Sequence, residues 1–139
     1  MKKSIIRIIT FCLIFCLLFS SVAFAATQES SYLNAYYASV FHKGNGIVNL
    51  DFGVTATHTM SKLGVSRVTI YKTSGVYVKS ITNSTAGYSS LQTSNTSVYF
   101  HNVNIQLTSG TSYYMVVTFY AKDSSGSGAA NYTTGTFTA

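Results

Sequence analysis

Most of this sequence consists of short runs of β-branched and aromatic residues separated by short polar turns, and that alternation limits the fold more than any other feature. Residues 47–57 are an example, because one set of alternate positions is apolar and the other is more polar, as in a strand with one buried face. The apolar set is Val48, Leu50, Phe52 and Val54. No long helical apolar period follows the N-terminal segment, and the chain contains no proline. The sequence therefore predicts an all-β fold.

Turn residues divide the sequence into seven predicted strands, which fit a seven-stranded antiparallel β-sandwich. The predicted strands are 32–41, 47–57, 65–72, 76–81, 98–107, 112–122 and 129–138. Residues 58–64 are predicted to be a connector. Residues 83–97 are expected to be a polar segment in which Tyr88 and Leu91 plug the core.

The N-terminal segment has the composition of a secretory signal peptide. A short basic start precedes a nearly unbroken apolar run, and Ala23-Phe24-Ala25 supplies small residues at a cleavage site. We therefore expect residues 1–25 to be a signal peptide cleaved after Ala25, and the protein to be secreted. Residues 26–31 are expected to form a polar leader before a single β-sandwich domain, residues 32–139. The apolar run is shorter than the about 18 residues of a spanning helix, which favours a cleaved signal over a membrane anchor. No later apolar run is long enough to span a membrane, so no stable membrane insertion of the mature chain is expected.

Processing at this site changes the cysteine content and the charge. Cleavage removes the only cysteines, Cys12 and Cys16, so the exported domain depends on its core without a disulfide. Six basic and three acidic residues follow residue 25, which gives a net charge of +3. The basic residues are dispersed rather than clustered, and this argues against nucleic acid as a partner.

Residues 107–117 resemble part of a known family. The run Leu-Thr-Ser-Gly-Thr-Ser-Tyr-Tyr-Met-Val-Val is similar to the Leu-x-Pro-Gly-Thr-x-Tyr-x-Val-x-Val stretch of fibronectin type III domains, with Ser109 in the place of the proline. The resemblance implies a fibronectin III or immunoglobulin-like β-sandwich in which Tyr113 is the structural corner residue, its hydroxyl tied to upstream backbone. The tryptophan of the second strand in that family is absent, and Phe52 is expected to fill its space.

A second resemblance covers other parts of the mature chain. The segments 60–68 and 119–122 are similar to segments of small secreted Gram-positive bacterial proteins of unassigned function. This resemblance implies a bacterial origin but no activity.

The residue types that carry catalysis or bind metals are scarce. Asp51 is the only acid within a predicted strand. The histidines His42, His58 and His101 lie at strand ends, without the short spacing of a metal site. We interpret these four as surface or edge residues. No catalytic residue, metal or other cofactor is therefore expected, and the chain is predicted not to be an enzyme.

Tyrosine is the one residue type in surplus, with 11 in the chain. The resemblance to fibronectin type III domains implies that the strands 65–72 and 112–122 are neighbours, and strand alternation then places Tyr71, Tyr114 and Tyr120 on the outer face of one sheet. Tyr77 and Tyr132 are expected nearby. Tyrosine combines a flat apolar ring with a polar tip, as sugar sites and paratopes use, but it is also a common cross-strand partner. Tyr71, Tyr114 and Tyr120 are the candidate ligand-binding residues.

These features together predict a secreted, non-enzymatic binding or interaction module whose partner is an extracellular protein or a glycan. Two alternatives stay open. A carbohydrate-binding module would be retained on polysaccharide through its exposed tyrosines. A basic secreted effector acting on membranes would release the contents of anionic vesicles and would be strongly salt-sensitive. The fold class does not itself name the ligand.

Overall fold

The computed structural model describes residues 30–139, and this part of the chain is built of β-strands with one short 3₁₀ helix, Ser89–Leu91. The strands are β1 Leu33–Gly44, β2 Ile47–Met60, β3 Lys62–Lys72, β4 Tyr77–Thr82, β5 Gln92–Thr93, β6 Thr96–Gln106, β7 Ser112–Lys122, β8 Ser127–Thr133 and β9 Phe137–Thr138. The predicted signal peptide, its cleavage site and most of the predicted leader lie outside the described residues. Within the described residues, no helix has the length and apolar character needed to cross a membrane.

The strands form two antiparallel sheets. Sheet I has the order β1-β2-β6, and sheet II has the order β4-β3-β7-β8, with β5 added to β3 and β9 added to β7. All the strand pairs are antiparallel. The prediction of an all-β, antiparallel fold is confirmed, and two such sheets are compatible with a β-sandwich.

The core lies between the inner faces of the two sheets, and the predicted alternation sets which side chains reach it. All four apolar alternate positions of residues 47–57 are buried, as are the odd-numbered positions of β7. Phe52 of sheet I meets Phe119 of sheet II edge-on, with ring centroids 6.5 Å apart. Tyr36 packs on Phe119 from β1, at 5.1 Å. Each such burial stabilises the fold by about 1.5–3 kcal/mol before the entropy of ordering is subtracted.

The turn between β1 and β2 follows directly from the local sequence. Asn45 and Gly46 both have positive φ, 55° and 74°, which a two-residue type I′ hairpin turn requires. A Cβ on Gly46 would also lie 2.3 Å from the carbonyl oxygen of Leu107. Glycine is therefore needed here both for the turn and for the close approach of the loop after β6.

The predicted connector at residues 58–64 is wrong, because the chain stays extended through it. The strand β2 continues to Met60 and β3 begins at Lys62, so the link from β2 in sheet I to β3 in sheet II is the single residue Ser61. Met60 and Leu63 are both fully buried. Their burial holds the strand ends against the core, where a polar-looking local sequence suggested a loop.

The last predicted strand, 129–138, is divided into β8 and β9. Between them, the Thr134 hydroxyl accepts a hydrogen bond from the Met115 backbone N–H at 3.0 Å, and the Thr134 N–H donates to the Met115 carbonyl at 2.9 Å. A side chain thus replaces one rung of the sheet ladder and interrupts the strand. Elsewhere the predicted plugs are confirmed: Leu91 is fully buried, and Tyr88 packs against the core.

Candidate functional site

Two of the three candidate tyrosines lie together at one end of the outer face of sheet II. Tyr71 and Tyr114 are opposite each other in the β3–β7 register, and their rings stack with centroids 5.2 Å apart and planes 15° apart. Tyr77 of β4 meets Tyr71 edge-on at 6.1 Å and is 58% exposed. We call Tyr71, Tyr77 and Tyr114 the tyrosine cluster. It forms a continuous aromatic surface across three strands.

Tyr120 does not belong to the tyrosine cluster. It lies on the same face as Tyr114 but pairs with Gly64, six residues further along β7, which is about 20 Å away. The expectation that Tyr132 lies near the cluster is wrong. Tyr132 pairs with the inward-facing Val117 and packs against the core, so it is on the opposite face of the sheet.

Tyr113 is 1% exposed, and its hydroxyl donates to the carbonyl oxygen of Thr108, five residues upstream, at 3.4 Å. Its ring packs near that of Phe137 of β9, with centroids 6.1 Å apart. The residue thus joins the loop after β6 to the end of the chain.

His58 and Asp123 form a contact that links the end of β2 to the turn between β7 and β8. His58 Nε2 pairs with Asp123 Oδ2, and the Thr57 hydroxyl lies 3.1 Å from His58 Nδ1. The other carboxylate oxygen of Asp123 accepts from the Ser125 hydroxyl and N–H, both at 2.7 Å, and from the Gly126 N–H at 3.1 Å. The Ser125 and His58 hydrogen bonds lower the pKa of Asp123 below its ordinary value. The turn at 123–128 is therefore organised by one carboxylate.

Thr57, His58 and Asp123 follow the order hydroxyl, imidazole, carboxylate of the catalytic triad in acyl-transfer enzymes. Their surroundings distinguish a catalytic arrangement from a structural one. Here the carboxylate is shared with the backbone of its own turn, and His58 is 54% exposed. The arrangement therefore has the contacts of a structural tie between two chain segments. The other histidines lie apart from it: His42 bonds the Thr138 carbonyl, and His101 stacks on Tyr99 at 5.7 Å. Within residues 30–139, no three His, Cys, Asp or Glu side chains are grouped closely enough to hold a metal ion.

The outer face of sheet I carries a second aromatic surface, which the sequence analysis missed. Tyr37, Gly53 and Phe100 are aligned across β1, β2 and β6, and we call them the aromatic row. The two rings are 6.3 Å apart, with 34° between their planes. A Cβ on Gly53 would lie 2.3 Å from Tyr37 Cε1 and 2.5 Å from Phe100 Cδ1. Glycine at this position thus lets both rings lie over the middle strand.

Polar side chains continue this face beside the aromatic row. Asn49 donates through Nδ2 to the side-chain oxygens of Asn102 and Asn104, at 3.2 and 2.9 Å, and we call these three the amide group. Asp51 lies between the aromatic row and Asn49 on β2 and accepts from the Tyr37 hydroxyl at 3.4 Å. Loss of solvent and the neighbouring Asp51 charge raise the pKa of Tyr37. The alternation of β2 placed Asn49 and Asp51 on the outer face, but no local signal identified the residues of β1 and β6 beside them.

A cleft of about 380 Å³ opens at the edge between β1 and the segment 134–137. Its lining includes the rings of Phe41, Tyr132 and Phe137, and it contains no carboxylate or imidazole. It can admit a small apolar group, but it offers no acid–base pair.

A comparison with models of protein families finds none that matches this chain, and a comparison with curated proteins finds no match either.

Proposed function

We propose that this chain is a secreted, non-enzymatic binding module with a fibronectin III-like β-sandwich, and that it binds an extracellular protein or glycan through the tyrosine cluster. The observation that supports binding most directly is the arrangement of the tyrosine cluster. Three aromatic rings from three strands adjoin on the outer face of a sheet, since Tyr71 contacts both Tyr114 and Tyr77, and Tyr77 is 58% exposed. Tyrosines in such an arrangement supply contact area at a low cost in conformational entropy.

The fibronectin III part of the proposal is supported by the sheet order and by two residues. The strands β3 and β7 are neighbours, as expected for that family, and three long strands oppose four. Tyr113 is buried and bonds to Thr108 upstream, as a corner tyrosine does. Phe52 is fully buried in β2, the strand in which the family carries its tryptophan.

Binding is tested with the exported protein on a glycan array and on an array of extracellular proteins. The variants are Tyr77→Ala and Tyr114→Ala, with Tyr120→Ala as the matched control. Tyr120 lies on the same face and strand as Tyr114 but outside the tyrosine cluster. We expect the first two variants to lose binding to any ligand found, and the control to keep it.

Stability has to be measured on the same variants, because Tyr71 and Tyr114 also support each other as a cross-strand pair. A Tyr77→Ala variant that melts like the wild type and still binds fully would contradict the proposal. Loss of stability without loss of binding under folding conditions would show that the cluster is only structural.

Secretion is a separate part of the proposal and has its own test. The intact mass of the exported protein should correspond to a chain that begins at Ala26. A mass that retains Cys12 and Cys16 would contradict both the cleavage and the cysteine-free mature domain.

The membrane-effector alternative depends on a basic surface. The basic residues of the described chain are distributed over four strands, β1, β3, β4 and β7. The Lys79 ammonium group of β4 donates to the Gln106 carbonyl oxygen of β6 at 2.7 Å, so this cation forms a hydrogen bond between the two sheets. This distribution favours the binding module over an effector that acts on anionic membranes.

A further inference from the structure

The outer face of sheet I carries four exposed large hydrophobic side chains. Phe100 is 58% exposed and Tyr37 is 40% exposed, and both lie on this face with the exposed Phe41 and Val98. Phenylalanine has no polar atom to gain from water, and exposed aromatic rings that adjoin each other, as Tyr37 and Phe100 do, mark an interaction surface more often than single scattered residues do.

The aromatic row has the shape that a sugar ring requires. Its two rings share the space above Gly53 and differ in tilt by 34°, so they form a shallow, broad platform in place of a deep pocket. The aliphatic C–H groups of a pyranose carry partial positive charge and pack on the negative face of an aromatic ring. The platform therefore fits the flat side of a sugar.

The amide group supplies the hydrogen bonds that orient such a ligand. The side-chain oxygens of Asn102 and Asn104 accept from Asn49, so their NH₂ groups are left as donors toward solvent. Within the described chain these NH₂ groups have no protein acceptor. Together with the Asp51 carboxylate they offer both donors and acceptors to hydroxyl groups. Asp51 and Asn102 lie two residues along their strands from the aromatic row, about 7 Å away, and Asn49 and Asn104 lie four residues away, about 13 Å.

The charge on this face selects among ligands. The aromatic row, Asp51 and the amide group lie on three successive cross-strand rows of this face. Asp51 is the one charged side chain that faces outward in these three rows. It has no cationic partner within the described residues. A carboxylate in this position repels phosphate and uronate groups, so nucleic acids, anionic lipids and acidic polysaccharides are disfavoured. An uncharged polyol is the complementary ligand.

We infer that the outer face of sheet I is a carbohydrate-binding surface for an uncharged polysaccharide, with the aromatic row as the stacking platform and the amide group with Asp51 as the hydrogen-bonding side. This site is distinct from the tyrosine cluster, which belongs to sheet II.

The inference is tested with soluble uncharged polysaccharides, namely xyloglucan, mixed-linkage β-glucan, glucomannan and galactomannan, by affinity electrophoresis and titration calorimetry. Polygalacturonate is the anionic comparison. We expect binding to at least one uncharged polymer, weaker binding to polygalacturonate, and little change on adding about 0.5 M salt, because no ion pair is involved.

Phe100→Ala is the decisive variant, and Tyr120→Ala is its matched control, because it removes an aromatic ring from the outer face of sheet II, outside the tyrosine cluster. Phe100→Ala should weaken binding by about tenfold or more, the scale of an anchoring aromatic, while Tyr120→Ala leaves it unchanged. Asn102→Ala should also weaken binding, which nonspecific apolar adsorption would not require.

Three results would overturn the inference: no binding to any uncharged polymer, full binding by a folded Phe100→Ala variant, or binding that is lost in Tyr77→Ala instead. The last result would assign carbohydrate to the tyrosine cluster and leave the proposed function standing. Selective capture of a protein by the Phe100 face, with no polysaccharide bound, would also refute the carbohydrate assignment.

Discussion

Replacing Tyr113 with phenylalanine separates the hydrogen bond of the corner residue from its packing. The hydroxyl oxygen lies 3.4 Å from the Thr108 carbonyl oxygen, beyond the usual range of about 2.5–3.0 Å for an O–H···O bond. Thr108 is exposed, so water can replace the lost donor. We therefore expect Tyr113→Phe to lower the free energy of unfolding by about 0.5 kcal/mol, the low end for a hydrogen bond.

Replacing Tyr113 with alanine removes the packing as well. The ring is 1% exposed and packs near Phe137, so its loss leaves a cavity at the junction of β7 and β9. Truncation of a large buried aromatic costs about 3–5 kcal/mol. With about 4 °C of melting temperature per kcal/mol in a domain of this size, alanine should lower the melting temperature by about 12–20 °C and phenylalanine by about 2 °C.

Urea unfolding of both variants, followed by circular dichroism, measures the two free energies. Tyr114→Phe is the control, because the Tyr114 hydroxyl makes no hydrogen bond within the described chain, and this variant should unfold like the wild type. If Tyr113→Phe costs more than about 2 kcal/mol, the hydrogen bond rather than the packing stabilises the corner, and the reasoning fails. Equal effects of the alanine and phenylalanine variants would refute it as well.

Two further predictions concern a close backbone contact and a titrating carboxylate. Gly64 has φ +144°, and a Cβ there would lie 2.2 Å from the Leu91 carbonyl oxygen, so Gly64→Ala should cost about 2 kcal/mol or more in urea unfolding. Gly87→Ala, at φ +85° with open space, should cost only about 1 kcal/mol, and equal losses would contradict the role of the Leu91 contact. Because the folded state lowers the pKa of Asp123, its ionised form stabilises the fold at neutral pH, and this stabilisation is lost as the pH falls from about 4 toward the lower folded-state pKa. The melting temperature of Asp123→Asn should therefore lie below that of the wild type at pH about 7 and approach it in acid; a constant gap across the pH series would refute this.

The strands and their inward faces were predictable because they depend on local alternation. In β7 every odd-numbered side chain from Tyr113 to Ala121 is buried, and in β2 the predicted apolar set is buried. One-residue alternation carries this information within a single strand, without knowledge of its neighbours. The Asn45-Gly46 turn is local in the same sense, since both residues tolerate positive φ.

The parts that failed depend on contacts between distant segments. Residues 58–64 lack a strong strand pattern, yet they are extended because Met60 and Leu63 are buried against the core. The break between β8 and β9 depends on a hydrogen bond from Met115 to Thr134, 19 residues later. Neither contact can be recognised from the residues of one segment alone.

The same limit explains why the tyrosines were noticed and the aromatic row was not. Tyr71 and Tyr114 face outward on long, clearly patterned strands, and the family resemblance implied that these strands are neighbours. The aromatic row needs three strands in register, with β1 and β6 both aligned on Gly53. On the outer face of β2, Gly53 lies between Asp51 and Thr55, and from the sequence alone a glycine here only lowers the strand propensity. In the sheet, the same glycine makes room for two rings.

The two aromatic surfaces differ in how much of their apolar area is already buried by contacts within the free protein. Tyr71 and Tyr114 stack closely and cover each other, so part of their apolar area is already removed from water in the free protein. Tyr37 and Phe100 are further apart, at 6.3 Å, and Phe100 remains more than half exposed. Since the hydrophobic gain of binding follows the apolar area newly removed from water, a ligand gains more per ring on sheet I than on the stacked pair of sheet II. The stacked pair therefore contributes more to folding, and the aromatic row keeps more of its area available for a ligand.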